Sequence, residues 1–318
     1  MRKEKNTVPV TAVSSKEGLM YNLRKHWLLY VMFLPALLSA IFFGYVPLTG
    51  IVIAFKDFNI MRGIWGSEWV GFKYFIEIFS KPDMIHAVKN TLIYGFFKVF
   101  LGFPFPVVLA LMFNELRAVR FKKVVQTIGY MPHFLSWISV VGLLYGFFAV
   151  EGPVNSLIGS IVGEGYEAKN ILFDPKNFLG VFFWSDVWKS VGWSSVVYLA
   201  AITGIDYSLF EAAQVDGCGR LKQVWNIIIP SILPTMIIVF IMSLGSLVNQ
   251  SFDQVYGLQN VFTQDQTETV NTLVYRLGIQ SGRYSEATAF GLAQGVITLA
   301  LMLFGNFVSK KTTNIGIV

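Results

Sequence analysis

From Trp27 to Ala54 the chain carries no charged side chain. That run is longer than the roughly 20 apolar residues a helix needs to cross the hydrocarbon layer of a membrane. Five more apolar runs follow, at about 88 to 113, 124 to 149, 178 to 204, 231 to 250 and 287 to 308. A lone strand in lipid would leave its backbone N–H and C=O groups unpaired, so each run reads as a helix. The expected fold is all-α, a polytopic membrane protein with six transmembrane helices. Composition agrees: 54% of the residues are hydrophobic and 14% charged, against about a quarter charged in an ordinary soluble domain. Pro35, Pro47, Pro104 and Pro106 fall inside the runs. Kinks there are tolerable where neighbouring helices or water satisfy the freed carbonyls.

The net charge of +6 reports topology and not nucleic acid, because the basic residues are unevenly placed. With the N-terminus inside, the inner segments hold Arg2, Lys3, Lys5, Lys16, Arg24, Lys25, Arg117, Arg120, Lys122, Lys123, Arg220, Lys222, Lys310 and Lys311, 14 of the 25. Nine others are spread thinly over longer outer loops at about 50–90, 150–177 and 251–286, and Lys98 and Lys189 fall within spans. Basic density therefore puts both termini in the cytoplasm. The outer loops carry turn signals such as Glu151-Gly152-Pro153 and Asp174-Pro175, and the last is polar with no clear period. The chain divides into an N-terminal tail (1–26), the first helix with its extracellular loop (27–84), the remaining spans (85–309) and a C-terminal tail (310–318). A polar N-terminal stretch with no convincing cleavage site after the first run reads as a retained helix, not a secretory signal.

Several chemistries are missing. The chain has no Gly-x-x-x-x-Gly-Lys-Ser/Thr phosphate loop, no His-Glu-x-x-His and no Gly-x-Ser-x-Gly. His26, His86 and His133 lie far apart near span ends, without the convergent spacing of a metal site. Cys218 is the only cysteine, which excludes an internal disulfide. No catalytic residue and no metal ligand is assigned, and the chain is not expected to be an enzyme.

The segment EAAQVDGCGRLKQVWNIIIPSILP, 211 to 234, breaks the apolar pattern between the fourth and fifth spans. Ser208-Leu209-Phe210-Glu211 fits a capping box that would start a short helix at Leu209, and Gly217 and Gly219 would end it. Leu221, Val224, Trp225 and Ile228 then fall on one face of a second helix, and Pro230 and Pro234 lead into the fifth span. The pattern predicts a helix–turn–helix elbow on the membrane surface, with Ala212 and Ala213 small enough for another protein to approach closely.

Glu211-Ala212-Ala213, then Asp216-Gly217, then Ile229-Pro230 resembles the EAA loop of permease subunits in ATP-binding-cassette importers. The resemblance covers about 85 to 309, the type 1 transmembrane permease domain, with a coupling loop at 206–230. The stretches at 33 to 59 and 69 to 79 resemble the LplB-like permeases paired with oligo- and polysaccharide-binding lipoproteins. The resemblance implies a type I importer fold in a bacterial cell membrane. Glu211, Ala212, Ala213, Asp216, Gly217 and Arg220 would then couple to a separate ATPase. It further implies a second, different permease, two copies of the ATPase carrying the ATP and Mg, and an extracellular solute-binding protein. This chain would itself bind no cofactor, and its substrate would be a saccharide.

A sugar leaving water needs ring faces and hydrogen-bonding groups. Trp184, Asp186, Trp188 and Lys189 in the fourth span, with Trp193 nearby, supply both kinds, and Asn249, Gln250 and Asp253 at the end of the fifth form a second candidate cluster. Intramembrane charges tend to face a partner or cavity. Asp186 and Lys189, three apart, would equally make an ion pair near the outer interface, and Lys98 would meet an acidic sugar or snorkel. Gly142 with Gly146, and Ala287 with Gly291 and Gly295, form small-residue stripes read as packing surfaces. An ion-coupled secondary transporter and a membrane scaffold or sensor stay open as alternatives.

Overall fold

The computed structural model describes residues 24–163, 165–313 and 316. Most of the N-terminal tail, with Arg2, Lys3, Lys5 and Lys16, and most of the end of the C-terminal tail lie outside the described residues.

Residues 24–52 form one unit and 53 onward another. The first span, Trp27–Phe55, starts as an α-helix with Pro35 inside it, widens to a π turn at Ala40–Tyr45 and tightens to a 3-10 helix at Val46–Phe55. None of its residues from Trp27 to Tyr45 is buried. Apolar side chains on every side suit a helix in contact with lipid.

In the second unit, the loop after the first span makes a small antiparallel pair, Lys56–Asp57 with Glu68–Trp69, a β element that the apolar pattern did not announce. Ser285 at the start of the sixth span anchors it, accepting from Phe58 N at 2.9 Å and donating to Lys56 O at 2.6 Å. The second span is Pro82–Glu115, the fifth Arg220–Leu247 and the sixth Tyr284–Lys311. Pro175–Thr203 qualifies as a span only together with Tyr207–Val215, to which it is bent by 70°. Asp186, Lys189 and a series of serines make it the least apolar of the crossings. Asp174 caps its start, its carboxylate accepting from Lys176 N at 2.9 Å.

The third crossing departs from the expected helix over 124–149. An amphipathic helix, Val119–Tyr130, gives way to a 3-10 turn at Met131–Phe134 and an extended Leu135-Ser136 before Trp137–Phe148 resumes. Pro132 opens the break and Ser136 Oγ caps the new helix by accepting from Ser139 N at 3.1 Å. Both halves run in series along the fourth span. Gly129 meets Gly192, His133 meets Lys189, and Val141 with Phe148 packs on Phe178 and Phe182. The loop expected to be irregular at 251–286 holds short helices at Phe252–Leu258 and Val270–Tyr275. Its polar residues cap turns and pair with backbone, so the polarity that hid them from a periodicity search is what forms them.

Burial is divided among separate clusters along the bundle. One, around Tyr94, Val141, Phe178, Phe182, Val255 and Leu258, lies beside the first half of the fourth span. Another, around Val107, Ala110, Tyr198, Ile202, Ile228 and Ile232, lies at the elbow end. Of the predicted small-residue stripes, Ala287 is a packing contact, buried beside Gly278 and Leu277, while the glycines are not. Gly142, Gly146, Gly291 and Gly295 have nothing within 4 Å of the position a Cβ would take. Close approach occurs instead at Gly95, whose Cβ would lie 2.1 Å from Leu247 O, and at Gly192, whose Cβ would lie 1.9 Å from Gly129 O. A stripe shows only that a helix is smooth on one side; what lies opposite is decided by the other spans.

Candidate functional site

The elbow is present, and its start differs from the expected capping box. Asp206 is the N-cap of Tyr207–Val215, its carboxylate accepting from Ser208 N at 3.0 Å. That bond from the Ser208 backbone, with a further one from its side chain, holds the Asp206 carboxyl below its usual range. Starting the helix ahead of Leu209 turns Phe210 inward against the cluster that also takes Ile205 and Val224. Glu211 therefore sits exposed on the elbow helix instead of closing a capping box.

The tip is a Schellman turn. Cys218 N donates to Ala213 O at 2.8 Å and Gly217 N to Gln214 O at 3.0 Å, while Gly217 takes φ +71°. Glycine adopts that left-handed conformation at no steric cost. Gln223 Nε2 donates to Cys218 O at 2.9 Å and so ties the return helix to the turn. Leu221, Val224, Trp225 and Ile228 do not share one buried face. A π turn at Val224–Ile228 shifts the register, burying Ile228 while Leu221 and Trp225 are 78% and 68% exposed. Val215 is 88% exposed beside the tip. Ala213 is half-buried, whereas Ala212, Asp216 and Gly217 are exposed. Arg220 Nη1 lies 3.4 Å from Glu115 Oε2 at the end of the second span. The pair is largely exposed and adds little stability, but it joins the elbow to that span. A cavity of about 330 Å3 lies behind the elbow between Glu115, Phe210, Gln214 and Arg220.

The intramembrane residues do not converge as expected. Asp186 pairs with Lys98 of the second span, Nζ to Oδ1 2.9 Å, not with Lys189. Lys189 instead donates to His133 O at 2.8 Å and lies 5.3 Å from the Trp137 ring centre. It thus satisfies a carbonyl at the break in the third crossing. Its spacing from Asp186 permitted a pair, but a deep opposite charge on another span reaches Asp186 first. Trp184 and Trp188 are largely exposed, and Trp184 packs edge-on against Phe105. Trp193 stacks on His133 at 4.9 Å.

Asn249 and Gln250 meet through Asn271, whose Nδ2 donates to Asn249 Oδ1 at 3.1 Å and to Gln250 O at 2.6 Å, and Asp253 takes no part in that hydrogen bonding. Gln250 is buried and its Nε2 donates to Thr91 O at 2.8 Å. Asn249 accepts from Asn271, and Asp253 is exposed in the first turn of Phe252–Leu258.

Of the residues singled out within the spans, Asp186 and Lys98 line a common space, a cavity of about 140 Å3 between the second, fourth and fifth spans. It also exposes Ser190, Ser194, Ser243 and Ser246, which no motif marks. Two unlike charges in separate apolar runs were the available sign of the pairing. Lys98 belongs to a π turn, Phe97–Leu101, where Gly102 N donates to Phe97 O at 3.0 Å. Pro104 and Pro106 follow directly and have no N–H for the helix ladder. A Cβ at Gly102 would lie 2.2 Å from Lys98 O.

Residues 84–311 match the family described as binding-protein-dependent transport system inner membrane component. Protein LplB of Bacillus subtilis (strain 168) is 37% identical over 315 residues, covering 99% of this chain and 98% of its own. The polygalacturonan/rhamnogalacturonan transport system permease protein YteP of the same organism is 39% identical, covering 95% and 94%. Among solved structures, a chain of a bacterial alginate ABC transporter, in complex with its alginate pentasaccharide-bound periplasmic protein, superposes with TM-score 0.84 at 36% identity. It covers 94% of this chain and 99% of that one. The chain belongs to the family of inner membrane components of binding-protein-dependent transport systems, and is a multi-pass permease subunit of the cell membrane.

Proposed function

We propose that this chain is one of two permease subunits of an ATP-binding-cassette importer that carries an oligo- or polysaccharide delivered by an extracellular binding protein. The observation that carries the reading is the elbow. An exposed helix ending in a glycine turn, with Ala212, Val215, Asp216, Leu221 and Trp225 outward, is a surface for a separate ATPase to grip. The names of the relatives, polygalacturonan or rhamnogalacturonan for one and alginate for the other, support a saccharide as cargo. In this reading the elbow and both termini are cytoplasmic, the partner permease is a different chain, and ATP and Mg reside on two copies of the ATPase. Nucleotide-driven closure of the ATPase pair pulls the elbow, and the Glu115–Arg220 contact passes the displacement to the second span.

Mild-detergent purification of the chain from its own cell tests this directly. The expected result is a complex with a second permease and two ATPase copies, whose hydrolysis rises several-fold when the saccharide-loaded binding protein is added. Isolation without an ATPase, together with uptake that survives ATP depletion but collapses with an uncoupler, would overturn the reading.

A further inference from the structure

The short helix that follows the β pair, Lys73–Ile78, has three unlike sides. Tyr74 and Ile78 are buried against the sixth span, Tyr74 with Ala289 and Ile78 with Ala287 and Phe290. Lys73, Glu77 and Ser80, spaced i, i+4 and i+7, make a polar side, where Glu77 accepts from Lys81 Nζ at 2.8 Å. Phe72, Ile76 and Phe79 take the remaining side at the same spacing, and Trp69 extends it. These four are 63% to 79% exposed.

An apolar stripe of this size rimmed by charge marks a surface that meets something other than water. Its level in the molecule decides what. Ser285 binds Phe58 N and Lys56 O of the β pair, and Lys81, just past the helix, pairs with Glu286 Oε2 at 2.9 Å. The helix is therefore pinned beside the first turn of the sixth span, Tyr284–Lys311. The chain enters this region from Phe55, the last residue of the first span. Phe55 also joins the stripe, its ring stacking on Trp69 at 5.8 Å and meeting Phe72 edge-on at 5.5 Å. The stripe is thus continuous with a span end, at the depth where hydrocarbon gives way to lipid headgroups. Tryptophan collects at that depth.

We infer that residues 69–80 dock on the bilayer itself, as a segment lying along the membrane surface. Trp69, Phe72, Ile76 and Phe79 enter the lipid, and Glu77 with Lys81 faces water. A helix with one apolar and one charged side buries the apolar side about 5–10 Å into the boundary between headgroups and acyl chains. Lys73, at the edge between the two sides, has a stem long enough to carry its ammonium to the lipid phosphates. The bilayer offers an apolar layer directly beneath a polar one, which is the order of these two stripes. A protein partner covering the apolar stripe would have to leave Lys73 and Glu77, on the adjoining side, in water. Held by lipid on one side and by the sixth span on another, the segment fixes the depth of that span's end. The inference requires a membrane and no particular cargo.

The test is collision electron paramagnetic resonance on the complete transporter in vesicles of phosphatidylethanolamine and phosphatidylglycerol. Native cysteines of every subunit are replaced, with Cys218→Ser in this chain, and one nitroxide is attached at Ile76→Cys or at Ser80→Cys. At 76, oxygen, which partitions into lipid, is expected to relax the label several-fold more than a water-soluble nickel complex does. At 80 the order is expected to reverse. Phe79→Cys should behave as 76 does, and it decides the matter if the variant at 76 fails to assemble. A label on the stripe that meets the nickel complex as readily as oxygen stands in water, and overturns the inference. One shielded from both reagents is covered by protein, and overturns it equally. Neither outcome touches the transport reading.

Discussion

Gly217→Asp is expected to abolish ATP-driven uptake while the protein stays in the membrane at its normal level. At φ +71° a side chain is strained, and the left-handed conformation costs an L-residue about 1–2 kcal/mol. Nothing lies within 4 Å of the added Cβ, so the bundle meets no clash and keeps its fold. The loss falls on the turn itself. The Schellman bonds from Cys218 N to Ala213 O and from Gly217 N to Gln214 O fix the angle between the elbow helix and its return. A carboxylate at the tip both loosens that angle and intrudes between the elbow and whatever grips it. Uptake, membrane level by blotting, and ATPase retention on purification are the three readouts. Wild-type uptake in this variant would remove the elbow from the mechanism.

Gly192→Leu is expected to have the opposite profile, a loss of folded protein. A Cβ at 192 would stand 1.9 Å from Gly129 O and 2.5 Å from Gly129 C, both backbone atoms that cannot swing aside. The fourth span would have to part from the Val119–Tyr130 helix along the line where Lys189 holds His133 O. Overpacking a tight contact costs about 1–3 kcal/mol and sometimes more, and a leucine adds far more bulk than its Cβ alone. The expected outcome is aggregation or a sharply lowered thermal midpoint in detergent. Gly142→Ala provides the comparison: its Cβ would meet nothing within 4 Å, so its midpoint should match wild type. If the two variants behave alike, the close approach at 192 is not what holds these helices.

The spans were legible because hydropathy integrates over about 20 residues and tolerates local error. The break in the third crossing was not, because Pro132, Leu135 and Ser136 interrupt the backbone without interrupting the apolar composition. The elbow was legible as a motif, down to the glycine that ends its first helix. Its start was misplaced because Asp206 and Ser208 are both good caps, and the choice between them is made by where Phe210 has to point. Lys98 and Asp186 were each visible as costly charges. Their pairing across 88 positions was not, since spacing along one helix favours the neighbour at Lys189. Tryptophans at 184 and 188 looked like ring platforms, and both are exposed on this chain, where no neighbouring span covers them.

The central claim is that the elbow is gripped by a separate ATPase. With Cys218→Ser removing the only native cysteine, Val215→Cys places a single thiol at a position 88% exposed beside the tip. A short thiol-to-amine cross-linker applied to membranes of cells expressing the whole system should join this thiol to the ATPase subunit, with a yield that changes when ATP is added. A thiol that reacts with small maleimides and never joins the ATPase, in membranes that still transport, would contradict the account.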